Sequence, residues 1–370
     1  MKLRGILKWG VTTILGLLLA GFGIAYLAST NECYDSDRPA PAHPMRAIVY
    51  CDYGPPDVLR VEAVEKPVPG ERELLVRVRA VALNPLDWHY VRGTPYVMRL
   101  GTGLRRPKSI RFGVDYAGTI EAVGAGVTKF KPGDAVFGGR NGAFAEYLTT
   151  PEDAAVALKP GRSSFEEAAS LPIAAITALQ GLRDQGRVGA GDRVLLNGAS
   201  GGVGTFAVQI AKALGAHVTG VCSTRNVDLV RSLGADAVVD YTKEDFAAGS
   251  ARYDVILDNV GTRPISDFRG VLAENGRYVL IGGGGLDDQG LLGPVARMAR
   301  AAMIRPFVDE EILPMMARMQ ADDLVALADL IESGKVTPVI DRRYSLEEFA
   351  EAMRYLETGR ARGKVVVALE

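Results

Sequence analysis

The chain has 370 residues, enough to bury a large core and to form two domains. Its 43 basic and 44 acidic residues nearly cancel, so no broad positive face for nucleic acid is expected. Three cysteines (Cys33, Cys51, Cys222) and three histidines (His43, His89, His217) lie scattered, which argues against a disulfide framework, a four-thiolate zinc site and any other metal centre of nitrogen and sulfur ligands.

From Trp9 to Ala28 twenty residues pass without a charge. At about 1.5 Å per residue this run matches a hydrocarbon core of about 30 Å. Residues 1–30 are therefore expected to form an uncleaved transmembrane helix, making the protein membrane-associated through a single N-terminal anchor. A cleaved signal peptide is the alternative, although its apolar region usually spans about 7–15 residues. Residues 31–44, polar and proline-rich, read as a tether.

After Met45 the texture is that of strands. "RAIVY", "ELLVRVRAVAL" and "AGTIEAVG" alternate with turns such as "YGPPD", "KPVPGE" and "FKPGD", giving an all-β region to about Pro160. From Phe165 strand and helix patterns alternate. "DRVLLN" is a buried strand, Val203–Leu214 a helix, "HVTGVC" a strand and Val227–Leu233 a helix. "DAVVDY", "YDVILDNVG" and "GRYVLIGGGG" follow as strands. This order predicts a parallel, doubly wound α/β sheet. The tail from Asp322 adds two helices and two strands, ending in "GKVVVALE".

The run "NGASGGVGTFAVQIAK" (Asn197–Lys212) joins strand to helix through glycines. Bare backbone there lets a pyrophosphate approach helix N-terminal amides. Against the dinucleotide pattern G-x-G-x-x-G the positions are Ala199, Gly201 and Gly204, with the first glycine replaced. The next strand ends in Ser223, Thr224 and Arg225 and carries no acid for a ribose 2′-hydroxyl. Hydroxyls and a guanidinium suit a 2′-phosphate instead, so NADP(H) is the expected cofactor.

These pieces together resemble the zinc-independent branch of the medium-chain dehydrogenase/reductase superfamily that holds quinone oxidoreductases, enone reductases and reticulon-interacting oxidoreductases. The resemblance rests on "ALNPLDW" (Ala82–Trp88), "GVDYAGTIEAVGAGV" (Gly113–Val127), "KPGDAVFG" (Lys131–Gly138), "GAFAEY" (Gly142–Tyr147), "LPIAAITAL" (Leu171–Leu179), "GASGGVGTFAVQIAK" (Gly198–Lys212), "ILDNVG" (Ile256–Gly261) and "GRARGKVVV" (Gly359–Val367). It implies a GroES-like catalytic domain made by both chain ends (45–165 and 308–370), a Rossmann domain (166–307), a cleft between them, and homodimers through Rossmann edge strands. By position it assigns Ser200, Gly201, Gly202, Val203 and Gly204 to the pyrophosphate, and Ser223, Arg225 and Tyr241 to the 2′-phosphate. Asn259 and Gly282 fall near the ribose and nicotinamide, Thr177 beside the nicotinamide amide, and Lys364 in the C-terminal "GK".

Zinc-bearing relatives carry a cysteine shortly after the "ALNPLDW" position and Gly-His-Glu near "GVDYAG". Here Asn84, Asp87 and Gly113-Val114-Asp115 stand there instead. Without a Lewis acid, a conjugated acceptor is the easier hydride target, because charge delocalises onto its oxygen. The expected substrate is thus a small lipophilic quinone, enone or enal. The alternatives are a carbonyl reductase of alcohol dehydrogenase type and a silent NADPH-binding adaptor at a membrane. Asn84, Asp87 and His89 are the candidate catalytic residues, whereas Asp115 and Tyr116 read as strand and turn capping. His89 stands where bacterial quinone reductases have a tyrosine, so its proton-relay role competes with a structural one. In Gly285–Val308, Leu291, Leu292, Val295, Met298, Ala299 and Met303 share a helical face expected to wall the substrate pocket, or to dock on a membrane surface. The basic flank of the anchor predicts an enzyme across the membrane from the cytoplasm, whereas NADPH is a cytosolic or matrix reagent, so the side stays open.

Overall fold

The computed structural model describes residues 23, 26–27, 29–35, 39–282 and 290–369. Among them the strands are β1 (Pro44–Tyr50), β2 (Leu59–Glu65), β3 (Glu73–Leu83), β4 (Asp115–Val123), β5 (Ala135–Gly139), β6 (Tyr147–Pro151), β7 (Val156–Leu158), β8 (Arg193–Asn197), β9 (His217–Cys222), β10 (Ala237–Asp240), β11 (Tyr253–Asp258), β12 (Leu272–Leu280), β13 (Glu311–Pro314), β14 (Ile340–Tyr344) and β15 (Lys364–Ala368).

One sheet is built around β3, which pairs antiparallel with β4, β6 and β15. Its order is β14-β15-β3-β4-β5-β7. The long apolar run of β3 is what brings the chain ends together: Ala80, Val81, Ala82 and Leu83 face Ala368, Val367, Val366 and Val365 in register. Behind it Leu74, Val76 and Leu83 pack with Tyr116, Phe144, Phe349 and Val365. This GroES-like sheet is not all-β in its surroundings, because Pro85–Arg92 folds as a helix. "NPLD" is its start signal: extended Asn84 caps it, Pro85 suits the first turn, and the Asp87 carboxylate accepts the Asn84 amide at 2.7 Å.

β1 and β2 form a separate antiparallel pair, and the second large sheet is parallel, in the order β10-β9-β8-β11-β12-β13. The central stretches of its strands, such as Val194–Leu196 and Val255–Leu257, are apolar and buried because helices cover both faces. The helix Gly202–Ala213 buries Phe206, Ala207, Val208, Ile210 and Ala211 against it, and a fully buried phenylalanine such as Phe206 contributes about 1.5–3 kcal/mol. Chain order runs outward from β8 to β10, then returns to β11 and runs to β13. Ligands bind such sheets at the strand C-termini where the direction reverses, here between Asn197 and Asp258, which are register partners.

Two expectations fail at the N-terminus. No helix among the described residues is long and apolar enough to cross a membrane, which overturns the transmembrane helix and, with it, the membrane-associated location. Only Gly23, Tyr26 and Leu27 of Trp9–Ala28 belong to the described residues, and the rest of that stretch lies outside them. Uncharged length is a necessary condition for a span and not a sufficient one. The start of the expected tether is also fixed rather than free. Cys33 and Cys51 form a disulfide, and the buried Asn31 donates to the carbonyls of Cys51 at 2.8 Å and Pro107 at 3.0 Å. Scattered cysteines argue against a framework of bridges, but not against one bridge between two that the fold brings together.

Candidate active site

The glycine turn leaves β8 and enters the helix Gly202–Ala213 with Gly201 as its extended cap. A Cβ on Gly204 would lie 2.1 Å from the Gly198 carbonyl oxygen, so only glycine allows that approach. Gly201 differs, since a Cβ there would meet only Gly198 O, at 3.6 Å. The turn also touches the C-terminal segment: Gly201 bridges Gly363, and the Gly363 amide donates to Ser200 O at 3.0 Å. Lys364 follows directly, with its Cδ 3.2 Å from where a Gly202 Cβ would stand. Val203 begins the helix behind the turn.

Next to the turn, Asn226 joins two expected coenzyme residues. Its buried side-chain amide donates to Ser200 Oγ at 2.9 Å and to Ser223 Oγ at 3.3 Å, while its Oδ1 has no partner. Arg225 is exposed, and its guanidinium donates to the Arg360 carbonyl in the C-terminal segment. Tyr241 is exposed at the end of β10. The carboxylate closing β10, Asp240, accepts from the hydroxyls of Thr224 and Thr242, and the Thr224 bond above all holds its pKa down at about 2. It is an anion already engaged by hydroxyl donors.

Across the turn lies a buried ionic cluster. Lys364 Nζ donates to Asn84 Oδ1 at 2.6 Å, to Leu83 O at 3.1 Å and to Asp115 Oδ2 at 3.3 Å. Asn84 Nδ2 donates to Asp115 Oδ2 at 2.9 Å, and the Ile173 amide donates to Asp115 Oδ1 at 3.0 Å. Asp115 thus holds the ammonium of β15, the cap of Pro85–Arg92 and the N-terminus of the helix Pro172–Gln180, where a negative charge is favoured. Burial raises the Asp115 pKa against the opposing pull of Lys364. Burial also pushes the Asp87 carboxyl up to about 8, with its Oδ1 unpartnered. Reading Asp115 as a strand cap missed this cluster; the signal was a lysine and an aspartate in segments that only the β3–β15 pairing unites. Asn84 spends its amide inside the cluster. His89 stands apart from it: residues two apart on a helix face different ways, and His89 Nδ1 bonds Thr94 O at 2.7 Å while its ring lies tilted against that of Trp88, with centroids 3.7 Å apart. Thr177 turns its hydroxyl back to Ile173 O at 2.6 Å within its helix.

At the end of β11, Asn259 has both side-chain polar atoms buried and without partners. Gly282, just past β12, faces open space where a Cβ would be. Leu291 and Leu292 precede the helix Pro294–Ile304 and are exposed, as are Val295 and Met303 on it, while Arg297 points inward and Ala301 is buried.

Two large sheets, one of them parallel with a glycine turn at its switch point, are the arrangement of the nucleotide-dependent oxidoreductases of medium chain length. Residues 70–160 match the family description "Alcohol dehydrogenase GroES-like domain" and residues 233–367 "Zinc-binding dehydrogenase". A chloroplastic quinone-oxidoreductase homolog of Spinacia oleracea is 33% identical over 337 residues, covering 87% of this chain and 98% of its own. The chloroplastic NADPH-dependent alkenal/one oxidoreductase of Arabidopsis thaliana is 34% identical, covering 92% and 83%. The quinone oxidoreductase of Coxiella burnetii superposes with a TM-score of 0.78 at 30% identity, covering 88% of this chain and all (100%) of that one. The chain belongs to the medium-chain dehydrogenase/reductase superfamily, in its quinone oxidoreductase branch, and is an oxidoreductase whose family uses a nicotinamide coenzyme. The zinc in one description finds no fitting donors: among the described residues no three of His, Cys, Asp and Glu gather, and Lys364 already answers the buried Asp115.

Proposed function

We propose that the protein is an NADPH-dependent, zinc-independent reductase of conjugated acceptors, a quinone or an enone or enal. The observation that carries this reading is the buried, unpartnered amide of Asn259 at the sheet's switch point. Unsatisfied buried polar atoms are rare in folded proteins, and a carboxamide or ribose hydroxyl would satisfy these. The glycine turn supports a diphosphate at Ser200–Gly204, and the Asn226 Oδ1 without a partner supports a polar group beside Ser200 and Ser223. Ser223, Arg225 and Tyr241 suit a 2′-phosphate, since the acid of that neighbourhood, Asp240, is taken up by two threonines.

Bound NADPH would supply hydride to the β-carbon or quinone ring. The chain's part is orientation and charge. Asn259 and Gly282 leave room and polar atoms for the nicotinamide end. Lys364, held by Asn84 and Asp115, keeps a positive charge below the turn. At neutral pH Asp87 holds a proton, because burial raises its pKa to about 8. His89 Nδ1 is committed to Thr94 O, and the proton that completes reduction comes from solvent or a hydroxyl. The relatives named for quinone and for alkenal/one substrates support the acceptor class.

NADPH oxidation measured against 9,10-phenanthrenequinone, 3-buten-2-one and a saturated aldehyde tests the reading. Turnover with the first two and little with the third is expected. Preference for the aldehyde would favour a carbonyl reductase, and NADPH binding without turnover on any acceptor would favour a silent adaptor.

A further inference from the structure

We infer that Arg297 is a positioning residue for hydride transfer, acting through Asp258 on the turn that presents Asn259. The inference rests on the reading that the nicotinamide end of the coenzyme docks at the end of β11.

Asp258 is completely buried and closes β11. One carboxylate oxygen accepts from Asn197 Nδ2 at 2.8 Å, the Val260 amide at 3.1 Å and the Gly261 amide at 3.0 Å. The other accepts from the Tyr278 hydroxyl at 2.7 Å and from Arg297 Nη2 at 3.1 Å. Asn259 therefore sits between the residue that supplies the carboxylate and the two amides that carboxylate grips. Its own amide donates to Asn197 O at 3.2 Å, across the switch point. Yet its side chain makes no bond. The backbone is fixed on both flanks while the amide head is left for something else.

An ionised carboxylate with no exposure needs a counter-charge. Arg297 supplies it from the helix Pro294–Ile304, and the same nitrogen donates to Arg263 O at 2.6 Å, just beyond the turn. The segment leading into that helix is tied to the β3–β4 connection. The Val97 amide, in the segment after the helix Pro85–Arg92, donates to Leu291 O at 3.1 Å. Removing the guanidinium leaves the Asp258 carboxylate without its counter-charge and short of one donor, which loosens its hold on Val260 and Gly261. Asn259 then shifts, while the glycine turn and the Ser223–Arg225 segment, on β8 and β9, keep their contacts. A misplacement of about 1 Å at a reacting centre costs on the order of a hundredfold in rate. The burden should therefore fall on kcat rather than on coenzyme affinity.

The test uses the full chain, NADPH fluorescence titration, and steady-state turnover of 9,10-phenanthrenequinone with NADPH or its 4-deuterated forms. For Arg297→Gln, kcat is expected to fall roughly ten- to a hundredfold with the NADPH dissociation constant within about threefold of the parent, and the deuterium isotope effect on kcat to rise. Arg297→Lys keeps the charge and is expected to recover part of the loss, which also serves if the glutamine variant folds poorly. Arg300→Gln, an exposed arginine of the same helix, is expected to match the parent. Unchanged kcat in Arg297→Gln, equal losses in Arg297→Gln and Arg300→Gln, or a lysine variant no better than glutamine would each overturn the inference. A parent chain that binds no NADPH would overturn the functional reading as well, whereas NADPH binding by a parent whose Arg297→Gln variant turns over normally would overturn the inference alone.

Discussion

Replacing Asp87 by asparagine should flatten the fall in stability that the parent shows as pH rises. Asp87 is fully buried, with one oxygen on the Asn84 amide and the other without a partner. Burial above all, with the Asp115 charge adding to it, raises its pKa from 3.8 to about 8 although the Asn84 amide and Lys364 pull it down. In the unfolded chain the group ionises near its ordinary value. Between the two values the folded state keeps a proton that the unfolded state has lost. Its contribution is therefore fully present below about pH 4 and is lost as pH climbs to about 8. About four units at about 1.4 kcal/mol each give a loss on the order of 5 kcal/mol across that window. Asparagine keeps the acceptor for the Asn84 amide and removes the ionisation. Urea unfolding at about pH 5 and about pH 8 reads the difference: the variant should gain on the parent by about 1 kcal/mol per pH unit. Parallel pH profiles for the two proteins would refute the reasoning.

Cys33→Ser should cost about 3 kcal/mol by the chain-entropy relation for a closed loop of 18 residues, and dithiothreitol should lower the parent's melting temperature to that of the variant. Recovery of Cys33 and Cys51 as free thiols from the unreduced native protein would contradict this. Arg225→Ala should weaken NADPH by about ten- to a hundredfold, the worth of charge-assisted hydrogen bonds, and leave NADH nearly unchanged. Equal losses for both coenzymes would remove the 2′-phosphate assignment.

Much of the parallel sheet was legible because its signals are local. A strand such as "DRVLLN", a glycine turn and a helix such as Val203–Leu214 lie next to one another in the chain, and the helix forms within a residue of where its periodicity put it. What escaped depends on pairing across sequence. Asp115 and Lys364 are 249 residues apart and meet only because β15 lies beside β3. Periodicity singled out the apolar face of Gly285–Val308, yet it is Arg297 that reaches a buried carboxylate 39 residues away, while Val295 and Met303 are exposed. The helix Pro85–Arg92 was hidden among strand-like runs, although its Asn-Pro-x-Asp start carried the cap. At Trp9–Ala28 the reasoning ran the other way: a hydropathy length criterion was met without any helix among the described residues to support a span.

Gly201 offers the most direct test of the central claim, that the coenzyme's diphosphate docks at the Ser200–Gly204 turn. Its backbone, at φ −82° and ψ −179°, accommodates any side chain, and a Cβ would have only Gly198 O for a neighbour, at 3.6 Å. Gly201→Ala should therefore fold and melt like the parent while placing a methyl group where the diphosphate must approach. NADPH titrated against both proteins should bind the parent and bind the variant on the order of a hundredfold more weakly, through lost close approach of the backbone. A variant that melts normally and binds NADPH as tightly as the parent would contradict the claim.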